Sequence, residues 1–344
     1  RHTFSGRAPL EAARRGIRLK SNEIAFRCNL VTLADGNMKS FTSDHIPTEE
    51  ADGLIKSLNE ALGGRDTKFY TGVSYRHLCV MSAQGAALEN LEHAVCTPPH
   101  DISDQQYQPH LPQGDGVARL IEMMDASRGI LAKHPINKKR KRNGKLPATS
   151  IWLWGQGKAP EMDTYQNRFH IDGAVVSAVD LVNGIGICAG LKVLEVPGAT
   201  GYLDTDYEGK VAAALNALKE KDFVYLHVEA PDETSHEGRT DLKIRAIEDF
   251  DARVVAPCLA WAERSKECRI LVAPDHITAI HTRTHAAGPV PFALWGPGIM
   301  PNKARRYGET EAQSVGLVVP HGHTLVPHML RAAHITADSL ASLG

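Results

Sequence analysis

Short apolar runs alternate with segments of helical length through the second half of the chain. The strand-like runs are GAVVSAV (173–179), LKVLEV (191–196), FVYLHVEA (223–230) and RILVA (269–273). The segments with helical patterns between them are 182–189, 207–221 and 241–262. Such an alternation is typical of a mostly parallel sheet with helices on its faces. The pattern therefore predicts an α/β domain from about residue 147 to the end.

The preceding part of the chain has a different pattern. Its apolar runs are shorter, as in AFRCNLVTL (25–33) and YRHLCVMSA (75–83), and turn residues are frequent around a proline-rich stretch at 96–116. We expect a second, smaller α+β domain over residues 22–146. The basic run NKKRKRNGK (137–145) is predicted to be an exposed linker back into the sheet domain.

Composition argues against several classes of partner. The chain has 39 Lys plus Arg against 40 Asp plus Glu, so its net charge gives no reason to expect nucleic acid or a membrane surface as partner. No apolar run approaches the roughly 20 residues that cross a bilayer, and no signal-peptide core is evident. The six cysteines form no C-x-x-C pair, which predicts buried free thiols of a reducing compartment. We therefore expect a cytoplasmic protein.

Ionisable residues with metal-ligand chemistry follow two of the predicted strands. Asp232 and His236, in HVEAPDETSHEG, are four apart and would share one face of a helical turn. Asp275 and His276 follow RILVA after a single proline, and His285 comes nine residues later. We expect these five residues to converge at one edge of the sheet. Five ligands exceed the three of a single catalytic zinc, and the mixed O/N set favours a two-metal site acting on a phosphoryl group.

Candidate substrate-binding residues carry charge in unexpected places. Arginines and a histidine lie within strand-like runs. An anionic substrate would be bound by guanidinium groups of this kind, although internal salt bridges explain these charges equally well. A His-Asp pair in PPHDI either faces substrate or caps a turn. The candidate substrate-binding residues are Arg27, Arg76, His77, His100, Asp101, Lys158 and Arg283. The stretches GIGICAG and WGQGK lack the spacing of nucleotide-binding loops.

Several longer motifs together resemble a known enzyme family. The motifs are HVEAPDETSHEG, APDH, RTHAAGPVPF, SIWLWGQGKAP, VPGATGYLDTDYEGK, AFRCNLVT and YRHL. They are similar to those of the archaeal-type cofactor-independent phosphoglycerate mutases of the alkaline phosphatase superfamily. That group includes bacterial relatives proposed to be homoserine kinases. The match runs over nearly the whole chain.

The resemblance implies an alkaline-phosphatase-like, doubly wound sheet domain (1–21 and 147–344) with an inserted α+β cap domain (22–146). It implies interconversion of 3-phosphoglycerate and 2-phosphoglycerate through a phosphoserine, with a small phosphorylated substrate and no nucleic acid or membrane partner. Two divalent ions are implied, with Mn²⁺ expected and Mg²⁺, Zn²⁺ or Co²⁺ as alternatives. In the family pattern Asp232, His236 and His285 hold one ion, while Asp275 and His276 contribute to the other.

The resemblance also concerns the start of the chain. RHTFSGRAPLEAARRGI (1–17) matches the family just after its nucleophilic serine, so no catalytic nucleophile is assigned, and Ser5 and Ser235 are not taken as substitutes. On this basis the chain as written is expected to bind one ion firmly and a second poorly, to lack mutase activity and to be prone to aggregation. The alternatives are a homoserine-kinase-like phosphotransferase and a catalytically inactive chain.

Overall fold

The computed structural model describes residues 6–343, so Ser5 lies outside the described residues. The chain divides into two compact units, unit 1 (Arg1–Met162) and unit 2 (Asp163–Gly344). Each unit has its own sheets and its own core clusters.

Unit 1 is built on a five-stranded antiparallel sheet. Its strands are β1 (Glu23–Ala34), β2 (Asn37–Ser40), β3 (Thr67–Val73), β4 (Arg76–Ser82) and β5 (Ser150–Gly157). The long strand β1 is central, because β4 and β5 pair with its first part from opposite sides and β2 pairs with its end. β1 is buried over most of its length, which explains its nearly continuous apolar run.

Helices cover both faces of this sheet. They are α1 (Ala8–Arg14), α2 (Thr48–Leu62), α3 (Ala86–His93), α4 (Ala118–Lys133) and α5 (Pro135–Arg142). Leu54 of α2 and Met123 of α4 pack with Phe26 in the main core. On the opposite face, Ala8 and Ala12 of α1 pack with Ala25, Leu78 and Val80. The unit therefore has an α+β layer architecture.

The observed division between the units differs from the predicted boundaries. β5 lies beyond residue 146, yet it belongs to unit 1 because six of its residues pair with β1. Residues 8–14 also belong to unit 1, because α1 packs on β1 and β4. The boundary thus lies at Met162, and the assignment of unit 1 as the cap remains a prediction.

Unit 2 contains a parallel sheet of three strands in the order β7-β6-β8. These are β6 (Gly173–Val176), β7 (Lys192–Val193) and β8 (Phe223–Leu226), within three of the predicted strand-like runs. Two antiparallel pairs follow: β9 (Ile270–Val272) with β12 (Ala293–Trp295), and β10 (Ile277–Ala279) with β11 (Thr284–Ala286). We expected RILVA to lie in the same sheet as β8, but its hydrogen-bonded partner in residues 6–343 is β12.

Helices connect and cover these strands. They are α6 (Tyr165–Phe169), α7 (Asp180–Cys188), α8 (Tyr207–Ala217), α9 (Ala230–His236), α10 (Thr240–Phe250), α11 (Ala256–Ser265), α12 (Glu309–Val315), α13 (Leu325–Arg331) and α14 (Ala337–Ala341). A π-helical turn, Asp251–Val255, joins α10 to α11, so the helix predicted at 241–262 is observed with one irregular turn. Of the helices in residues 6–343, none is both long and apolar enough to cross a membrane.

All six cysteines are free thiols, as predicted, although their burial varies. Cys28 and Cys79 are buried in unit 1, and the other four are partly buried. Burial raises the pKa of the Cys79 thiol to about 12 and also raises that of Cys258. These cysteines are therefore uncharged at neutral pH and poor nucleophiles.

The basic run at 137–145 is a helix end rather than the linker we expected. His134 caps α5 by accepting a hydrogen bond from the Ile136 N–H, and Pro135 occupies the first helical position. The Arg140 side chain is buried, and it donates to the carbonyl oxygens of Ser43 and Leu146.

Arg140 also holds a strained turn between β2 and α2. Ser43, Asp44 and His45 have consecutive positive φ angles of 47°, 57° and 45°. A left-handed conformation costs about 1–2 kcal/mol per non-glycine residue. Arg140 bonds to the first of these residues and forms an ion pair with Glu50 at 2.6 Å. The Arg140 guanidinium therefore fixes the conformation of this turn.

We predict that Arg140→Met, which keeps an unbranched side chain but removes the guanidinium, destabilises unit 1 by about 3 kcal/mol. Arg142 of the same helix is exposed, so Arg142→Met should cost no more than about 0.5 kcal/mol. Urea unfolding of the two variants measures the difference. Equal midpoints for the two variants would contradict the anchoring role of Arg140.

Candidate metal centre and anion-binding cluster

A short helix after β8 presents two potential metal ligands. α9 begins after a three-residue connection from the strand end, and Pro231 at its start favours the helical backbone. Asp232 and His236 lie one turn apart, so the predicted four-residue spacing does place both side chains on one face. The Asp232 Oδ2 and His236 Nε2 atoms are 3.2 Å apart.

The hairpin of β10 and β11 brings the third ligand. His285 lies opposite Thr278 in this ladder, and its Nε2 is 3.1 Å from His236 Nε2. It is also 3.5 Å from Asp232 Oδ1. Arg283 takes a positive φ of 55° at the hairpin turn. The Arg283 carbonyl oxygen lies 2.9 Å from His236 Nδ1 and therefore accepts a hydrogen bond from the Nδ1–H group.

These three side chains fit a divalent cation. Because Nδ1 of His236 donates to a carbonyl, its Nε2 presents a lone pair toward the cluster. Ligand atoms at about 2.1 Å from a tetrahedral ion lie about 3.4 Å from one another. The observed separations of 3.1–3.5 Å match that value. Electron-rich atoms at this distance repel one another unless a proton or a cation lies between them.

Thr278 links this group to the second predicted pair. Its buried hydroxyl donates to Asp232 Oδ1, and its oxygen lies 3.2 Å from His276 Nδ1. His276 Nδ1 must then be the donor, which leaves His276 Nε2 free to bind a cation. That Nε2 is 3.2 Å from Asp275 Oδ2, and the His276 ring lies 3.9 Å from the His285 ring. His276 thus joins the cluster directly, and Asp275 joins it through His276.

Further polar residues surround this group that the sequence had not singled out. Ser177 Oγ and His227 Nδ1 are 3.0 Å apart where β6 and β8 end, and His227 Nε2 is 3.0 Å from Glu229. The Glu229 carboxylate lies within 4.8 Å of that of Asp232. Lys210 is fully buried, with Nζ 3.4 Å from the His227 carbonyl oxygen, and burial lowers its pKa. The sequence feature that could have indicated His227 and Glu229 was the polar character of HVEA, where the apolar run ends.

In unit 1, two of the predicted substrate residues meet at one aromatic side chain. The Arg27 guanidinium lies 4.3 Å from the Trp154 ring centroid, and the His100 ring meets the same indole edge-on at 5.3 Å. Arg27 Nε donates to Glu11 at 3.2 Å, and Trp154 Nε1 donates to Asn29 Oδ1 at 3.0 Å. These five residues form what we call the Trp154 cluster.

Positive charge dominates around the Trp154 cluster. Burial lowers the pKa of Arg27 to about 10, so the group remains cationic at neutral pH, and Glu11 partly offsets the effect. Burial also lowers the pKa of His100, and the nearby guanidiniums of Arg27 and Arg7 lower it further. An open concavity of about 340 Å³, lined in part by Arg7 and Trp154, adjoins the cluster.

Asp101 and Arg76 lie close to this region. The Asp101 carboxylate is 3.5 Å from His100 Nε2, and both side chains are largely exposed. Arg76 is exposed at the start of β4 and lies over the Tyr75 ring, 5.5 Å from its centroid. Its charge contributes to the lowered pKa of Arg27. The structure therefore groups Arg27, Arg76, His100 and Asp101.

His77, in contrast, lies in the core. It is 1% exposed, and its Nδ1 accepts a hydrogen bond from the Gly72 N–H in the β3–β4 hairpin. Burial lowers its pKa to about 3, which keeps the imidazole neutral. His77 therefore stabilises the hairpin through Nδ1, and its contact with substrate stays a prediction.

The last two candidates have structural partners. Lys158 Nζ forms a 2.6 Å ion pair with Glu92, and this hydrogen bond raises the Lys158 pKa. The Arg283 side chain packs against Gly238, where an added Cβ would lie 2.5 Å from the guanidinium. Arg283 nevertheless contributes to the metal cluster through its carbonyl oxygen.

Two family models match the chain. The first is described as 2,3-bisphosphoglycerate-independent phosphoglycerate mutase and matches residues 1–137. The second is the Metalloenzyme superfamily, which matches residues 116–329 and so includes every residue of the candidate metal centre.

Curated relatives are similar over most of the chain. A probable 2,3-bisphosphoglycerate-independent phosphoglycerate mutase of Geobacter sulfurreducens is 49% identical over 335 residues, which is 96% of this chain and 82% of the relative. The 2,3-bisphosphoglycerate-independent phosphoglycerate mutase of Methanosarcina acetivorans is 51% identical over 85% of this chain and 72% of its own length.

Two solved structures share the fold. A protein from Pyrococcus horikoshii has a TM-score of 0.77 at 26% identity and covers 97% of this chain and 80% of its own. The cofactor-independent phosphoglycerate mutase of Thermoplasma acidophilum has a TM-score of 0.58 at 23% identity, covering 92% and 78% of the two chains. The second likeness concerns the fold alone.

We predict that Thr278→Val weakens the binding of Mn²⁺ by about 10- to 100-fold, because the hydroxyl that orients Asp232 and His276 is lost. Calorimetric titration of the chain with Mn²⁺ measures this change. Thr282→Val is the matched control, since Thr282 is exposed and bonds only weakly, at 3.4 Å, to the Ala279 carbonyl. Unchanged affinity in Thr278→Val would show that the hydroxyl has no orienting role.

Proposed function

Because the chain belongs to the family of 2,3-bisphosphoglycerate-independent phosphoglycerate mutases, within the Metalloenzyme superfamily, we propose that its metal centre serves the interconversion of 3-phosphoglycerate and 2-phosphoglycerate. The observation that carries this proposal is the approach of Asp232, His236 and His285 to within 4.8 Å of one another. Phosphoryl transfer needs positive charge at the transferring group, and this ligand set suits a divalent cation.

The superfamily implies divalent metal ions, and we propose a pair of them. Asp232, His236 and His285 would hold the first ion, and Asp275 with His276 would contribute to the second. The mixture of carboxylate and imidazole suits Mn²⁺, with Mg²⁺, Zn²⁺ and Co²⁺ as alternatives. A bound ion supplies neutralisation of phosphoryl oxygens and a lower pKa for a coordinated hydroxyl.

The chain's own residues would prepare this site by fixing protons. The Arg283 carbonyl holds the Nδ1 proton of His236, and Thr278 holds that of His276, so both Nε2 atoms present lone pairs. Ser235 is unsuited to accept a phosphoryl group, because its hydroxyl donates to the Pro231 carbonyl at 2.7 Å. It also accepts from Lys243 at 2.6 Å. The phosphoserine of the proposed reaction is therefore not assigned to Ser235.

The substrate is a small phosphorylated acid with two anionic groups. We propose that Arg27 and Arg76 attract its charge, because guanidinium groups bind carboxylates and phosphates by charge-assisted hydrogen bonds, and that the neutral His100 imidazole adds a further hydrogen bond. Asp101, beside His100, would accept from a substrate hydroxyl. A cytoplasmic location remains a prediction.

We predict that 3-phosphoglycerate binds the chain in the presence of Mn²⁺ and that chelation of the metal weakens this binding by at least tenfold. Asp232→Asn should cause a similar loss, because an amide is a weaker metal ligand than a carboxylate. Calorimetric titration with 3-phosphoglycerate, with and without Mn²⁺, measures both effects.

Asp251→Asn is the control for this experiment, since Asp251 is exposed on the π-helical turn, outside the metal centre. Parallel titrations with homoserine and with ATP separate the phosphotransferase alternative. Saturable binding of homoserine together with no binding of 3-phosphoglycerate would overturn the mutase proposal in favour of a kinase.

A further inference from the structure

We propose that Trp154 is a positioning residue for substrate binding, because its indole sets the relative placement of Arg27 and His100. This inference rests on the proposed function, in which those two groups bind the anionic substrate. Trp154 would touch no reacting atom. It would act by holding the Arg27 guanidinium and the His100 imidazole in one fixed geometry.

Arg27 and His100 make different kinds of contact with the Trp154 indole. The Arg27 guanidinium lies over the ring at 4.3 Å from the centroid, within the range of cation–π attraction. The His100 ring meets the indole at an interplanar angle of 70°, an edge-to-face contact. One rigid side chain therefore contacts both proposed anion-binding groups.

The indole is itself held in place. It is 6% exposed, and its Nε1 donates to Asn29 Oδ1. The Asn29 amide is oriented in turn by donating to the Phe41 carbonyl oxygen at 3.3 Å. Trp154 and Arg27 are direct partners in the register of β5 and β1. Backbone pairing and a side-chain hydrogen bond thus leave the ring little freedom.

Arg27 is prepared for a ligand by these contacts. Its Nε donates to Glu11, and no hydrogen bond of its terminal Nη atoms is formed within residues 6–343. A guanidinium held at Nε and stacked on a ring keeps its outer donors available for a carboxylate or phosphate. Arg7, bonded to the same Glu11 at 3.2 Å, adds a second cation nearby.

The neighbouring Trp152 shows what a purely structural tryptophan looks like here. It is 1% exposed, it packs in the main core with Tyr107, and its Nε1 donates to the Thr97 carbonyl oxygen. No arginine or histidine stacks on it within residues 6–343. Trp152 and Trp154 lie on the same strand, so they form a matched pair for an experiment.

The test is calorimetric binding of 3-phosphoglycerate to the Mn²⁺-supplied chain and its variants. We expect Trp154→Leu to weaken binding by about tenfold, because the surface that holds Arg27 is lost. Trp154→Phe keeps an aromatic face and should recover most of the affinity. Trp152→Phe should lower the thermal unfolding midpoint but leave the affinity unchanged, which separates positioning from general stability.

Two further variants distinguish a failure of the positioning role from a failure of the proposed substrate contacts. Asn29→Ala frees the indole without removing it and should weaken binding about two- to fivefold, so it replaces Trp154→Leu if that variant does not fold. Arg27→Gln should abolish most of the affinity. If Arg27→Gln weakens binding while Trp154→Leu and Asn29→Ala do not, the positioning role is wrong and the proposed function stands. If Arg27→Gln also binds normally, the proposed substrate contacts are wrong.

Discussion

The approach of one carboxylate and two imidazoles in unit 2 is the interaction on which its other features depend. Asp232, His236 and His285 place electron-rich atoms 3.1–3.5 Å apart, and such atoms stay together only around a proton or a cation. α9 must begin shortly after β8 ends, and the β10–β11 hairpin must turn tightly, for these atoms to meet. Thr278 and the Arg283 carbonyl then fix the protons of the surrounding rings.

The two buried arginines of unit 1, Arg140 and Arg27, have different surroundings. Arg140 is enclosed by carbonyl oxygens and by Glu50, so each of its three nitrogens donates a hydrogen bond, and one of these bonds holds the strained turn at Ser43. Arg27 is buried to a similar degree, but its guanidinium stacks on an aromatic ring. Among residues 6–343, only its Nε atom forms a hydrogen bond with the protein. Burial alone therefore does not distinguish an anchor such as Arg140 from the proposed ligand-binding group Arg27, and the two differ in how many of their nitrogens form hydrogen bonds with the protein.

Local patterns in the sequence predicted the features that depend on local geometry. The four-residue spacing of Asp232 and His236 had its expected effect because the segment is helical, and the parallel strands β6, β7 and β8 fall within the predicted runs. Pairings between distant residues were not predictable in this way. β5 joins β1 across more than 100 residues, so the sequence could not reveal that SIWLWGQG belongs to the first unit.

The same limit explains the residues that the sequence did not identify. Thr278 becomes important only through its position opposite His285, and Trp154 only through its register with Arg27. Conversely, His77 was a candidate because charge is rare in strands, and the structure shows it buried with one hydrogen bond from the Gly72 N–H. The exposed basic run gave no sign that Arg140 is buried, because two of its three acceptors, Glu50 and Ser43, lie far from it in the sequence.

The most direct test of this account is anomalous X-ray diffraction, at the manganese absorption edge, from crystals of the chain grown with Mn²⁺. We expect an anomalous peak within bonding distance of Asp232, His236 and His285, with any second peak beside Asp275 and His276. Manganese bound elsewhere, with no peak among Asp232, His236 and His285, would show that these three side chains do not form the metal centre.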